Sequence, residues 1–363
     1  MPGLLRPRYT KVQAGPAFVI SHDTARWIWA YLRAFDDPCL RDYLDDLYPD
    51  DMLHALDADS VAEDTSLRPV VQPRVTSLRI EEISRAVRSP GPFDVLVGAT
   101  RNRRSSNGIR CHLWRGPIPD GLLVPLSRDV YLCAPELVFL QLADSLSPVE
   151  LQLYAYEICG SYTYAADGPL ASETSLHDDV RAITTPDRLR DVVALASHLR
   201  GLDVSRFVVR HVHAGSRSPM ESQLAMLLDY PLGLGGFACG PMVMDYRIDL
   251  SPQAQLIAAR EFLVADIFVP SAMTDVEYQG GHHGRSAQRS RDDARTNALL
   301  FDGVIEHRVW HENLYDERFL EGIARMIHRR SGVKTRAPSR KGALRRASLL
   351  RELEDITRAS GSC

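Results

Sequence analysis

The segment VEYQGGHHG, Val276 to Gly284, sets a glutamate, a glutamine and two histidines among glycines. Side chains alternate along a strand, so Glu277 and Gln279 point to the same face. Just upstream, ADIFVP carries Asp266, and the residues from Pro270 to Asp275 are able to turn the chain back. If the two segments pair as strands, Asp266 and Glu277 converge. Two carboxylates held that close repel unless a cation lies between them. A small set of oxygen ligands at a strand edge suits Mg²⁺ or Mn²⁺, an ion that polarises a phosphate and activates a water. The bland reading of the same stretch is a decorated turn.

Three further groups surround this pair. Glu221 lies in SPMESQLAMLLDY, where a capping box with Ser218 explains a glutamate as well as catalytic support does. His282 and His283 follow the carboxylates in a glycine-rich turn. A histidine there serves as general base on the attacking water or as donor to a phosphate oxygen, although a lone histidine is ordinarily a surface residue. Arg285, Arg289, Arg291 and Arg295 then give RSAQRSRDDARTNALLFDG a positive edge, with Arg291 and Arg295 on one helical face. Pairing of these arginines with Asp292 and Asp293 is the competing explanation.

The elements that must position these residues form a mixed α/β pattern. SPME opens a helix, FLVADIFVP and DVEYQ read as strands, and RDDARTNALLFDG is a helix ending at Gly303. VIEHRVW is a further strand and RFLEGIARMIHRR a closing helix. Upstream, FDVLVG and IRCHLW read as strands, and Leu123 to Leu132 as one or two more. Helices start at Ser147–Pro148 and Thr185–Pro186. ISHDTARWIWAYLRAF is helical by its apolar spacing, and the acidic stretch after it reads as a solvated helical surface. Four segments follow: a helical region 1–90, an α+β region 91–203, an α/β domain 204–330 and a basic tail 331–363. From Arg325 to Arg351 the chain has no acidic residue, so the tail is either a phosphate-binding arm or a solubilising extension.

Composition excludes little. The 363 residues carry a formal charge of −4 and 45% hydrophobic content, an ordinary globular balance for two or three domains. The six cysteines are scattered without CxxC or zinc spacing, which fits a reduced cytoplasm. No apolar run is long enough for a membrane span, and the first residues lack a signal-peptide pattern.

In order, ESQLAMLL, VADIFVP, VEYQGGHHG and RDDARTNALLFDGVIEHRVW resemble the endonuclease-like domain related to very-short-patch mismatch repair endonucleases, of the PD-(D/E)XK superfamily. The resemblance spans roughly residues 215–330. It places Glu221, Asp266, Glu277, His283, Asp292 and Arg295 on the family pattern, and implies that Asp266 and Glu277 bind the metal while His283 assists. Gln279 departs from it, standing where the superfamily commonly has lysine and this branch often aspartate. The middle region is similar to AbiEi-type antitoxins, transcriptional regulators of toxin–antitoxin or phage-defence loci. Arg110 and His112 match a basic-histidine strand of those proteins, and Pro135 and Glu136 a helix start. ISHDTARWIW looks like the segment after their winged helix, which has too few residues before Ile20 to be present.

The resulting expectation is an α/β fold, with a restriction-endonuclease-like mixed sheet flanked by helices after an α+β antitoxin-like region. The function expected is divalent-metal-dependent cleavage of DNA, in repair or in a defence setting. The alternative is an inactive DNA-binding regulator on the same scaffold. Asp266, Glu277 and the backbone carbonyl of Tyr278 would hold Mg²⁺ or Mn²⁺, Gln279 would position the water, and Glu221 would support the site. The arginines at 285, 289, 291 and 295 would hold the DNA backbone. DNA is the partner expected, with a homodimer as an option.

Overall fold

The structure, a computed structural model, describes residues 18–36, 92–100, 103, 108–114, 118, 121–127, 130–166, 174–280, 286–334 and 337–359, without the side chains of 286–291. The helical reading of most of residues 1–90, the acidic stretch included, lies outside them. The chain divides into two compact units. One holds residues up to Leu151 plus Tyr162–Arg210, the other Gln152–Ser161 plus His211–Cys363.

The first unit is built on a five-stranded sheet. Its strands are β1 (Phe18–Ile20), β2 (Phe93–Val97), β3 (Ile109–Leu113), β4 (Leu123–Ser127) and β5 (Val130–Cys133), in the order β3-β2-β1-β5-β4. The central strand is the three-residue β1, antiparallel to β2 and parallel to β5. Helix α1 (His22–Ala34) follows it directly and buries Ile28, Trp29 and Leu32, with the Trp29 indole N–H donating to the Cys133 carbonyl at 2.8 Å. Residues 18–34 therefore belong to the same sheet unit as residues 93–133, which corrects the boundary drawn near residue 90. A strand of three residues carries too little alternation to be recognised in sequence.

Helix α2 (Pro135–Leu142) is buried along its whole length. Its Glu136, 0% exposed, is neutralised by Arg188 at 2.9 Å and accepts a hydrogen bond from the Thr184 hydroxyl at 2.6 Å. Helix α3 (Pro148–Cys159) starts with the expected capping box. The Glu150 N–H donates to Ser147 Oγ, and the Ser147 N–H donates back to Glu150. A strand pair missed in sequence, β6 (Tyr162–Ala166) and β7 (Thr174–Asp178), precedes α4 (Pro186–Leu195) and α5 (Leu202–Val208).

The second unit opens with α6 (Pro219–Asp229), followed by β8 (Val243–Asp249), α7 (Pro252–Ala258), β9 (Phe262–Val269) and β10 (Thr274–Gln279). Then come α8 (Ser286–Phe301), β11 (Ile305–Trp310), α9 (Glu317–Arg330) and α10 (Arg340–Ala359). The sheet order is β11-β10-β9-β8. Strands β8, β9 and β10 form an antiparallel meander, while β11 is parallel to β10, so α8 supplies the crossover that a parallel neighbour requires. Ala298 and Leu299 of α8 pack with Leu263, Ala265 and Phe268. In α9, Leu320, Ile323, Ala324 and Ile327 form one buried stripe at helical spacing.

The basic tail is corrected: residues 340–359 are a docked helix. Leu349, Leu350 and Leu353 are buried, and so is Arg346, at 1% exposed. The Arg346 guanidinium donates to the carbonyls of Gly235 and Gly236 and lies 4.1 Å over the Phe237 ring. Gly235 has φ +99°, and a Cβ there would lie 2.8 Å from the backbone of Arg345 and Arg346, so glycine is what lets the helix approach. Arg330 is also spent on backbone carbonyls, those of Ala272 and Gly303. A run of arginines looks the same in sequence whether it faces phosphates or carbonyls. Leu353→Ala should destabilise the protein by about 3 kcal/mol in urea unfolding, because it hollows a packed site. A free arm predicts no change.

Candidate metal centre

One helix and three strands bring the acids together. On α6, Ser218 caps the helix and accepts from the Glu221 N–H, while Pro219 occupies the first turn. The Glu221 carboxylate accepts from the Ser218 hydroxyl at 3.0 Å and from the Arg217 N–H at 2.8 Å. The capping reading of Glu221 is therefore realised, and the same carboxylate also feels the charge of Asp266.

The ladder between β9 and β10 pairs Thr274 with Val269, Asp275 with Phe268 and Val276 with Ile267, and then stops. One step further, Asp266 and Glu277 stand opposite each other. There two side chains replace the missing ladder bonds: the Tyr278 N–H donates to Asp266 Oδ2 at 2.9 Å, and the Asp266 N–H donates to Glu277 Oε1 at 3.4 Å. The strands part at the point where the two carboxylates converge.

Glu277 stands between two groups of acids. The outer group is Asp266 and Glu221. Burial, then the charge of Glu277, pushes Asp266 up to about 7, and burial, then the charge of Asp266, pushes Glu221 up to about 7. The cations that act on them are Arg217, half-exposed and also paired with Asp245 at 3.7 Å, and, for Asp266, Arg295 as well.

The inner group is Asp275 and Glu306, which with Glu277 place one oxygen each within 4.8 Å of one another. Asp275 follows from strand alternation, and Glu306 lies directly across from it on β11. Arg295 already serves this group. One of its nitrogens donates to Asp275 at 2.9 Å, to Glu277, and to the Val264 carbonyl at 2.8 Å, and its Nε donates to Glu306 at 2.9 Å. Arg308 and the Thr296 hydroxyl complete the shell of Glu306. Three carboxylates against two guanidiniums leave one surplus negative charge. Burial, then the charge of Asp275, pushes Glu277 up to about 9. Asp275 Oδ1 remains buried without a hydrogen-bond partner.

On the outer side, Asp266 and Glu221 beside Glu277 present only carboxylate oxygens, whereas the oxygens that lie within 4.8 Å of one another are those of Asp275, Glu277 and Glu306. The outer donor set is all oxygen and fits Mg²⁺ or Mn²⁺.

The other sequence-predicted residues divide as follows. Gln279 follows Glu277 by two residues on β10 and is half-buried. Tyr278 donates its N–H to Asp266, and its hydroxyl lies 3.1 Å from His311 Nδ1. His282, His283 and Arg285 lie outside the described residues, as do the side chains of Arg289 and Arg291 on α8. Arg295, read as a phosphate contact, is instead turned into the acid cluster. Asp275, Glu306, Arg308 and Thr296 were not singled out. The period-two pattern of Asp275, Glu277 and Gln279 could have revealed the first of these. Glu306 and its partners needed the pairing of β10 with β11.

The raised acids fix a direction for stability against pH. An ordinary carboxylate in the unfolded chain titrates near about 4. Below that value both states are protonated and the groups contribute no difference. Above it, the unfolded chain releases protons that native Asp266 and Glu221 keep until about 7, so stability falls as pH rises through that window. The melting midpoint should drop between about pH 5 and about pH 8, and millimolar Mn²⁺ should restore it at the upper end. Glu221→Gln keeps the cap and should flatten the profile. A profile that Mn²⁺ leaves untouched would count against an ion at this position.

Compared with known proteins, the chain matches no family model, no curated protein and no solved structure. Among the described residues, no helix is long and apolar enough to cross a membrane.

Proposed function

We propose that the second unit is a restriction-endonuclease-like domain that hydrolyses DNA phosphodiesters with Mg²⁺ or Mn²⁺. The observation that carries this reading is the meeting of Asp266 and Glu277 where β9 and β10 part, with Glu221 of α6 near enough to feel the charge of Asp266. The order of helix α6, an antiparallel three-strand meander, crossover helix α8 and a parallel last strand supports it. Asp266, Glu277 and Glu221 would hold the ion, with the Tyr278 carbonyl as a further oxygen. Such an ion stabilises charge on the phosphate and generates a nucleophilic water. Gln279 would orient that water by hydrogen bonding, and His283 would accept its proton or donate to the phosphate. Arg285, together with Arg289 and Arg291 of α8, would draw the DNA backbone, which makes binding steeply salt-dependent.

A second reading has its own observation. Arg295 neutralises Glu277 from the inner side, and Gln279 brings no charge to the site. A scaffold in that state binds DNA without cutting it. It would serve as a regulator, in keeping with the resemblance of the first unit to antitoxins of defence loci. Incubation of supercoiled plasmid with the purified protein and Mg²⁺ or Mn²⁺, beside EDTA and Glu277→Ala, separates the two. The nuclease reading expects metal-dependent nicking that the variant loses. Binding without nicking under either metal selects the regulator.

A further inference from the structure

The first unit holds a second cluster of chemically competent side chains. Asp94 on β2 is 1% exposed and sits at the N-terminus of α1. Its carboxylate exchanges hydrogen bonds with Thr24, accepting from the Thr24 hydroxyl at 3.2 Å while its own N–H donates to Thr24 Oγ1 at 2.9 Å. The other oxygen, Oδ1, meets His112 Nε2 at 2.7 Å and the Arg110 guanidinium at 3.5 Å. Arg110 and His112 alternate along β3 and so project from one face.

His22 lies flat on His112, with ring centroids 3.5 Å apart and planes 17° apart. Its backbone has φ +49°, a region a non-glycine residue rarely adopts. The Ser21 hydroxyl, which a helix N-cap ordinarily spends on the backbone, lies instead 3.0 Å from His22 Nδ1. Backbone strain that the surroundings hold in place is a mark of a functional site. Burial, then the neighbouring His112, pushes His22 down to about 3, so it stays a neutral platform. Burial opposes the charge on Asp94, but the His112 hydrogen bond and the charges of His112 and Arg110 hold that carboxyl below its ordinary value.

Two alternatives fail on geometry. The in-plane lone pairs of nearly parallel rings do not converge on one ion, and Asp94 already takes His112 Nε2, so the pair is a poor metal site. Packing alone requires neither a strained histidine nor an arginine that stays half-exposed beside a buried acid. With Nε2 held by Asp94, the ring presents Nδ1 as its working atom. A guanidinium fork and an imidazole N–H on one strand face form a donor set for a tetrahedral oxyanion.

We propose that Arg110 and His112, positioned by Asp94 and His22, form a binding site for a phosphate-bearing ligand, independent of the acid centre in the second unit. Arg110 supplies the fixed charge, and His112, as an imidazolium that gives Nε2–H to Asp94, supplies Nδ1–H as the second hydrogen bond.

The test follows the imidazole resonances of the isotope-labelled full chain by NMR, with His112 assigned from His112→Gln. The probes are inorganic phosphate and adenosine monophosphate at millimolar concentration. The His112 signal should move saturably, and Arg110→Gln should weaken the affinity at least about tenfold, the worth of one charge-assisted hydrogen bond. A response to both probes identifies a bare phosphate group as the ligand, and a response to the nucleotide alone identifies a nucleotide. A His112 signal that neither probe moves overturns the site. So does equal affinity in Arg110→Gln with a melting midpoint that matches the native chain's.

Discussion

Asp266→Ala is expected to lower metal-dependent nicking of supercoiled DNA by about a thousandfold. That factor corresponds to about 4 kcal/mol at 1.36 kcal/mol per tenfold, within the several kcal/mol that a bound cation contributes to transition-state charge. The substitution removes the carboxylate that faces Glu277 across the end of the β9–β10 ladder. Its effect on stability should be small. The Tyr278 N–H loses its acceptor, which costs about 1 kcal/mol. In return Glu277 and Glu221 lose a like charge beside them. Activity lost at an unchanged melting midpoint therefore assigns Asp266 to the chemistry. Undiminished nicking by Asp266→Ala would remove the proposed centre altogether.

Arg295→Ala is expected to produce the largest loss of stability. Its guanidinium serves Asp275, Glu277 and Glu306 at once, and its side chain is 22% exposed. Removing one partner of a largely buried ion cluster leaves uncompensated charge, at a cost of about 3 to 5 kcal/mol. The loss should depend on pH. At about pH 5 Asp275 and Glu277, both raised, retain their protons more readily and the variant should recover part of its stability; at about pH 8 it should not. Mn²⁺ should stabilise the variant more than the native protein, because the emptied cluster keeps three oxygens within 4.8 Å of one another. Urea unfolding at both pH values, with and without Mn²⁺, measures all of this. If Arg295→Ala unfolds as the native chain does, the cluster is not what holds α8 to β10 and β11.

Both predictions rest on a division of labour among the acids. The inner carboxylates are matched by Arg295 and Arg308, and this pairing fixes the position of Glu277. The outer carboxylates, Asp266 and Glu221, lie beside the half-exposed Arg217, and Asp266 also feels the charge of Arg295.

The amino-acid sequence by itself determined what local rules govern. Alternation put Glu277 and Gln279 on one strand face, and the turn after Val269 brought the chain back beside Asp266. Capping chemistry placed the starts of α3, α4 and α6 at Ser147, Thr185 and Ser218. These features depend on neighbours a few residues away, so a short window contains their cause. The tertiary structure alone decided the partners. Arg295 looked like a phosphate contact because its charge is visible in sequence, while the buried acids that claim it come from two other strands. The tail looked like an arm because its arginines are dense, while the carbonyls of Gly235 and Gly236 that hold Arg346 lie more than a hundred residues away. Strand β1, three residues long, became the centre of a sheet only through pairing with β2 and β5. A charge announces itself in sequence, but its counter-charge is chosen by the fold, because burial makes pairing obligatory only after the chain has collapsed.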